Sequence, residues 1–300
     1  MVLCCSASWW YSELTSKHKQ EISHQSMTEQ TQKCLRFAEL HQQEQTWLIP
    51  NPWDIGSARI LQGLGYKALA TTSSGFAYTL GRADGQVSLE EKLIHCTQLA
   101  SMTSIPVNAD FENGFADAIP AMCDNISRLI ETGIAGLSIE DYSRDEHRVY
   151  ELNEAVDRVA AAVETVKASA VPVLLTARAE NLIRGVDDLH ETLERLQAYS
   201  KVGADVLYAP GLVEMHDVAE FVAATDKPLN ILAPFVRGAT MEKFTAAGVC
   251  RVSTGGALAW ASVKPLLSAG KEMLEQGSFQ WLKEMARGTE IQALIKDDQD

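Results

Sequence analysis

The residues best suited to chemistry lie in one stretch, Val107-Asn108-Ala109-Asp110-Phe111-Glu112-Asn113-Gly114. Ile105, Val107 and Ala109 are apolar, as in a buried strand. Pro106 is acceptable there because a proline is tolerated at a strand entrance. The stretch ends in amide and carboxylate oxygens followed by a glycine turn. Hard cations choose such oxygens, and Mg²⁺ takes one or two direct carboxylates while keeping several waters. The same residues also suit a plainer role, in which Asn108 and Asp110 turn the chain and cap the next helix.

The chain has 300 residues, 46% of them hydrophobic, enough for one large α/β domain or two small ones. Its net charge of −14 and pI near 5.0 argue against nucleic acid and anionic membrane surfaces as partners. No run approaches the ~18 apolar residues of a membrane span. The six cysteines are scattered without a C-x-x-C pair, so a reduced, cytoplasmic protein is expected. Asn125-Ile126-Ser127 fits a glycosylation sequon, which has no consequence in that setting.

Residues 1–26 differ from the rest. They hold Cys4-Cys5, Trp9-Trp10-Tyr11 and a polar run, with no basic segment ahead of the short apolar part. No secretory signal is therefore expected there. We expect a poorly ordered extension over 1–26, translation starting at Met27, and a single domain over 27–300.

Short β-rich runs alternate with helical patterns along that domain. Strands are predicted at 46–49, 66–72, from Val107, and at 134–139, 171–177, 204–209, 228–233 and 249–253. Helices are predicted at 54–64, 88–102, 119–132, 153–168, 186–202, 213–224, 241–247, 257–276 and 279–285. Ser88 with Glu91 forms a capping-box pattern. Gly63-x-Gly65 closes a helix rather than opening one, so it is expected to be a C-cap and not a nucleotide loop. Thr71-Thr72-Ser73-Ser74-Gly75 closes the second strand, and a long loop then carries Arg82-Ala83-Asp84-Gly85. Residues 142–150 are predicted to be a polar loop. The charged tail from Lys296 to Asp300 is expected to fray.

Eight strands alternating with helices over about 250 residues indicate an α/β fold, a (β/α)8 barrel of the TIM type with an extra C-terminal helix. Helices of this length make the crossovers that parallel strands need. An open doubly wound sheet is the rival, and the missing Gly-rich turn after the first strand counts against its dinucleotide-binding version. Active sites of such barrels gather at the strands' C-terminal ends. Those ends offer Thr72, Ser73 and Ser74 with Asp84 beyond, then Asn108, Asp110 and Glu112. They continue with Glu140 and Asp141, Arg178, Asn230, and Ser253 with Thr254. Acids converging with an arginine and a hydroxyl-rich loop suggest a divalent cation beside an anionic substrate.

Ala68 to Gly85, Pro106 to Gly114, Ile139-Glu140-Asp141 and Thr176-Ala177-Arg178 together resemble the isocitrate lyase/phosphoenolpyruvate mutase superfamily. The similarity runs from Trp47 to Ala269. It implies an α/β barrel enzyme that binds Mg²⁺, with Mn²⁺ as a substitute, and a small 2-oxo acid or its enolate. It implies a lyase that makes or breaks a C–C or P–C bond beside the carbonyl. It also implies a homodimer or homotetramer that exchanges its last barrel helix. By this resemblance Asp110 is the direct metal carboxylate, and Asn108 stands where a second metal Asp would be. Glu140 and Asp84 hold metal waters, and Thr72, Ser73 and Ser74 bind substrate; Asn230 joins the expected substrate-binding residues from its own strand end. Arg178 faces the oxyanion, a task suited to its planar, bidentate guanidinium. Asp84, Glu140 and Arg178 are thus the expected catalytic groups.

The departures narrow the chemistry. Lyases of the superfamily carry a Lys-x-Cys-Gly-His gating sequence after the fourth strand. Here the loop reads Tyr142-Ser143-Arg144-Asp145-Glu146-His147-Arg148, without cysteine. The Lys and Asn of the mutases and phosphonopyruvate hydrolases are missing too. Ala209-Pro210-Gly211 replaces a substrate-binding side chain. The expectation is therefore a decarboxylase, or a lyase needing no gating acid, acting on an oxaloacetate-like acid. A non-catalytic 2-oxo acid binding protein and a phosphonomutase are the alternatives. His147 is the one imidazole near the loop and is either a proton donor or a solvated residue. Cys96 and Cys123 are expected to pack helices, and His95, His190 and His216 to lie away from the strand ends. Gly255-Gly256 is either a phosphate-binding helix start or a tight turn. Trp260, Leu266, Leu267, Met273, Phe279 and Trp281 form an apolar set that suits a core or a subunit contact.

Overall fold

The computed structural model describes residues 28–296. The expected N-terminal extension, the start at Met27 and residues 297–300 of the tail lie outside the described residues. The chain forms β1 (Trp47–Ile49), β2 (Leu69–Ala70), β3 (Val107–Asp110), β4 (Gly136–Glu140), β5 (Tyr142–Ser143) and β6 (Arg148–Val149). It continues with β7 (Leu174–Arg178), β8 (Val206–Tyr208), β9 (Leu229–Leu232) and β10 (Arg251–Ser253). Eight of these make one sheet in the order β1-β10-β9-β8-β7-β4-β3-β2, every pair parallel. β5 and β6 form a separate antiparallel hairpin.

Closure between β1 and β2 depends on a few polar contacts. Ala70 N–H donates to Pro50 O at 3.0 Å. Asn51 Nδ2 donates to Thr71 O at 3.0 Å, while its Oδ1 accepts from the N–H groups of Thr254 (3.0 Å) and Gly255 (2.8 Å). One buried amide thus joins the ends of three strands and completes a (β/α)8 barrel. The Gly255 N–H is committed to Asn51 and φ there is 53°, so Gly255-Gly256 serves as a tight turn.

The helices are α1 (Glu29–Leu40), α2 (Ile55–Gly63), α3 (Ser73–Thr79), α4 (Leu89–Met102), α5 (Ile119–Ile130) and α6 (Leu152–Ala168). They continue with α7 (Leu189–Lys201), α8 (Met215–Ala224), α9 (Met241–Ala246), α10 (Ala257–Gln276) and α11 (Gly288–Leu294). None is long and apolar enough to cross a membrane, among the described residues. The Ser88–Glu91 capping box forms, and Gly65 at φ 95° ends α2 as a C-cap. α1 seals the floor of the barrel with Phe37. A Cβ on Gly136 would come within 2.5 Å of the Phe37 ring, so β4 admits only glycine there.

Three segments depart from expectation. Ser73–Thr79, read as loop, is a helix because Thr72 caps it through Oγ1, which accepts from Gly75 N–H at 3.3 Å. The polar loop of 142–150 contains the β5–β6 hairpin. The helix of 279–285 is a 3₁₀ turn over Gln280–Glu284, with α11 following it. Phe37→Ala empties the floor of the barrel. It should cost about 3–5 kcal/mol, read as a lower urea midpoint at unchanged m-value.

Candidate active site

Strand register sets out the site. Glu140 pairs with Arg178, Arg178 with Tyr208, Tyr208 with Asn230, and Asn230 with Arg251. The row starts at the last residue of β4 and ends at the first residue of β10. Strands of a barrel tilt, so one register row descends from mouth to floor. A second row, Asp110–Ser138–Thr176, lies beside it.

Asp110 ends β3 at the mouth. Its Oδ2 accepts Ser73 N–H at 3.0 Å, and its Oδ1 lies 3.4 Å from Arg178 Nη1. Its own N–H donates to Thr71 Oγ1 at 2.9 Å, and that hydroxyl also accepts from the buried Lys92 Nζ at 3.0 Å. Burial works to raise the Asp110 pKa, but Arg178, Lys92, the Ser73 amide and Arg144 outweigh it and hold the carboxyl below its ordinary value. Asp110 is therefore a carboxylate at neutral pH.

Glu140 is the centre of a denser cluster. Its oxygens lie 3.5 Å from Arg144, 3.5 Å from Arg184 and 3.7 Å from Arg178. Glu180 pairs with Arg178 Nε and, at 3.0 Å, with Arg184 Nη2. Asp141, one residue on, faces the other way. It accepts Glu180 N–H at 2.7 Å and pairs with Arg195 at 3.0 Å, so it anchors the segment carrying Glu180. Glu112 meets Arg144 Nε at 2.6 Å, and Asp84, more exposed, lies 3.7 Å from Arg144 Nη2.

Burial, then the neighbouring Glu180, pushes Glu140 well above the usual carboxylate range despite its arginines. Burial likewise lifts Glu112 to about 7. Arg178 stays charged, since Glu180 and Glu140 overcome the cost of its burial. Its guanidinium also stands 5.1 Å from the Tyr208 ring centroid.

Inside the mouth lies a cavity of about 50 Å³, lined in part by Asp110, Arg178, Thr72, Asn108, Asn230 and Arg251. Asn108 lies two residues below Asp110, opposite Gly136, and its buried Oδ1 has no hydrogen-bond partner. Asn230 donates to Ser253 Oγ at 2.9 Å and accepts from Arg251 Nε at 2.8 Å. Arg251 meets neutral acceptors on its other sides, Thr176 Oγ1 at 3.2 Å and His41 Nε2 at 3.1 Å. A guanidinium only donates, so His41 Nε2 must accept and Nδ1 carries the proton given to Phe37 O at 2.8 Å. Burial pulls Arg251 down to about 10, which leaves it charged at neutral pH.

The structure thus gathers Asp110, Glu140 and Arg178 at one mouth, as expected, with Thr72, Asn108 and Asn230 along the adjoining cavity. Ser73 meets Asp110 through its backbone, and the Ser74 hydroxyl lies 3.3 Å from that of Thr72. Asp84 joins from the rim. His147 is exposed at the hairpin tip with φ 54°, His95 is buried in α4 against Phe76, and His190 and His216 are exposed. Sequence reasoning missed Arg144, Glu180, Arg184, Lys92, Tyr208 and Arg251. Glu180 and Tyr208 had a signal, being next to strand ends; the others come from helices, a loop or a strand start.

Among the described residues no three carboxylate, imidazole or thiol groups already form a cation cage. Mg²⁺ does not require one, since it needs one or two carboxylates and keeps its waters. The donor set fits such an ion. Asp110 is ionised, Asn108 Oδ1 is free, and Glu140 Oε1 has no hydrogen-bond partner.

Fold and site define a (β/α)8 barrel protein with an acid–arginine centre at the C-terminal ends of its strands. Residues 37–274 match the phosphoenolpyruvate phosphomutase family. The chain belongs to that family, and so to the isocitrate lyase/phosphoenolpyruvate mutase superfamily of carbon–carbon lyases and mutases. An uncharacterised protein of Mycobacterium tuberculosis is 29% identical over 222 residues, 74% of this chain and 82% of the relative. An oxaloacetate decarboxylase of Pseudomonas entomophila is 27% identical over 243 residues, 77% of this chain and 81% of the relative. A crystal structure of a Burkholderia cenocepacia protein, provisionally described as a lyase/mutase, superposes with a TM-score of 0.85 at 39% identity. That match covers 88% of this chain and 96% of the other.

Glu112 gives a pH signature. Its carboxyl titrates at about 7 when folded against an ordinary 4.5, so folding takes up a proton there. The stabilisation is fully present below the unfolded value and is lost as pH rises through 7. In chelated buffer, Tm should fall between pH 5 and pH 8, and Glu112→Gln should flatten that fall.

Proposed function

We propose that the protein is a lyase dependent on Mg²⁺, with Mn²⁺ as substitute, that cleaves the C–C bond beside the carbonyl of a small 2-oxo acid. An oxaloacetate-like acid is the preferred substrate and a pyruvate-type enolate the intermediate. The contact between ionised Asp110 and Arg178 at the mouth of a small polar cavity carries this reading. The likeness to an oxaloacetate decarboxylase supports the choice of substrate. A divalent cation held by Asp110 and Asn108, with Asp84 and Glu140 on its waters, would supply Lewis acidity at the keto oxygen.

The chain's own residues do the rest. Thr72, Ser73 and Ser74 border the position of the substrate's carboxylate. Asn230, held at both ends of its amide, gives the cavity a rigid polar wall. Arg178 is oriented before substrate arrives, because Glu180, Asp110 and Glu140 hold it and Tyr208 underlies it. The bond that breaks joins the carbon next to the keto group to the outgoing carboxylate. CO2 leaves, the bonding electrons pass onto the keto oxygen, and water then returns a proton to that carbon. The Arg178 charge stabilises the developing oxyanion without having to reorganise. Decarboxylation needs no thiol acid, which agrees with a 142–149 hairpin that lacks one. That same lack is the ground for a second reading, a 2-oxo acid binding protein without catalysis.

The test is pyruvate release from oxaloacetate with Mg²⁺, above the cation's own background. Arg178→Gln should lower kcat/KM by about 10²–10³. Asp110→Ala should reduce the rate to that background. Failure to turn over any 2-oxo acid in a panel, with ligands still raising Tm, would establish the binding protein instead.

We also propose that residues 27–300 act as one barrel domain, in the reduced cytoplasm, and as a homodimer or homotetramer. Leu266, Leu267 and Leu274 on α10 are 64%, 57% and 86% exposed, an apolar face that a second copy exchanging this helix would cover. Light scattering after gel filtration should give a dimer or tetramer, and Leu267→Glu with Leu274→Glu should shift it towards monomer.

A further inference from the structure

The hairpin that replaces the superfamily's gating sequence is not idle in this chain. Arg144 follows β5 at the start of the hairpin turn, and its guanidinium points inward. It reaches Glu112 (2.6 Å), Glu140 (3.5 Å) and Asp84 (3.7 Å), which come from the turn after β3, the end of β4 and the loop before α4. The loop before α4 is shaped around it. A Cβ on Gly85 would lie 2.4 Å from Arg144 Nη1, and φ there is +81°, so glycine leaves the niche open. The next turn residues, Asp145 to His147, are exposed, while the base of the hairpin is pinned elsewhere. Ser143 Oγ donates to Asp117 at 2.9 Å, and Arg148 pairs with Glu154 at 2.8 Å. The tip can therefore part from the acids without the hairpin detaching.

We propose that Arg144 is a resident counter-ion that a divalent cation must displace. It would tether the hairpin tip to these acids in the cation-free protein and release it in the loaded one. The inference rests on the cation reading of Asp110, Glu140 and Asp84 given above. Two of the three acids that hold Arg144 are the ones assigned to the cation's waters. Attraction of the guanidinium to those acids becomes repulsion from the ion once the ion is beside them.

The measurement is Mn²⁺ affinity by electron paramagnetic resonance titration, with hydrogen exchange of residues 142–149 followed in parallel. Arg144→Gln should bind Mn²⁺ about tenfold more tightly, or better, since a positive charge has left the site's edge. Arg144→Lys, which keeps the charge, should stay close to the parent protein. Hairpin exchange in the parent should quicken on saturation with Mn²⁺, and in Arg144→Gln it should be fast from the start. Equal or weaker Mn²⁺ binding by a folded Arg144→Gln overturns the inference and leaves the cation site standing. Exchange that does not respond to the ion in the parent overturns it as well, without need of any variant. If the parent and both variants fail to bind Mn²⁺ at all, the cation reading of the site falls and this inference with it.

Discussion

The barrel's mouth crowds acids and bases together, most of them away from water, with Asp84 as the exposed member at the rim. Asp84, Asp110, Glu112, Glu140 and Glu180 face Arg144, Arg178, Arg184 and Lys92. An ionised carboxylate taken out of water without a partner is too costly to persist, so each buried acid here must share a base or hold a proton. Glu140 is where that demand is greatest, because burial and Glu180 both oppose its charge while its three arginines are shared with other acids. A site balanced in this way is prepared for an added positive charge. Asp110, held ionised beside it, is a ready oxygen ligand.

Geometry keeps these charges apart from the bulk of the core. The tilted register carries one row of polar side chains from Glu140 at the rim to Arg251 at the floor. Around that row the sheet is filled with Val, Leu, Ile and Ala. Arg251 is held by neutral acceptors and leaves a fixed positive field beneath the cavity, which suits an anionic ligand above it. α1 closes the floor, and the Asn51 amide closes the sheet, so neither end of the row is open to strand slippage.

Local strain gathers in the turn between β3 and α5. Glu112 and Phe115 both adopt positive φ, at 49° and 57°. A non-glycine residue held there costs of order 1–3 kcal/mol and persists only where surrounding contacts overdetermine it. Here the Glu112 carbonyl accepts Glu140 N–H at 2.8 Å, and Arg158 gathers the carbonyls of Asn113, Ala116 and Asp117. The turn delivers the Glu112 carboxyl to Arg144, and so ties the acid cluster to the hairpin.

Much of this was legible before any coordinates. Alternating strand and helix periods, glycines just past helix ends and the Ser88–Glu91 box are local signals. They specified the order of elements and, with it, a parallel barrel. The strand-end rule then picked out Asp110, Glu140 and Arg178, because a residue's place on its own strand is enough to put it at the mouth. What it could not decide was which neighbour each would meet. Glu140 and Asp141 are adjacent in sequence, yet one enters the site and the other anchors α7 through Arg195, since successive strand residues face opposite sides. Arg144, Arg184, Lys92 and Arg251 reach the centre from a hairpin, a 3₁₀ turn, a helix and a strand start, across separations that no local pattern encodes. Ser73 to Thr79 looked like loop because Ser-Ser-Gly favours turns; the Thr72 cap, together with docking against α10 where Gly256 lets the Ser74 hydroxyl come close, makes it helical. Sequence determined the elements because those depend on near neighbours. Tertiary structure decided the charge balance, because that depends on barrel tilt and on side chains from distant segments sharing one small volume.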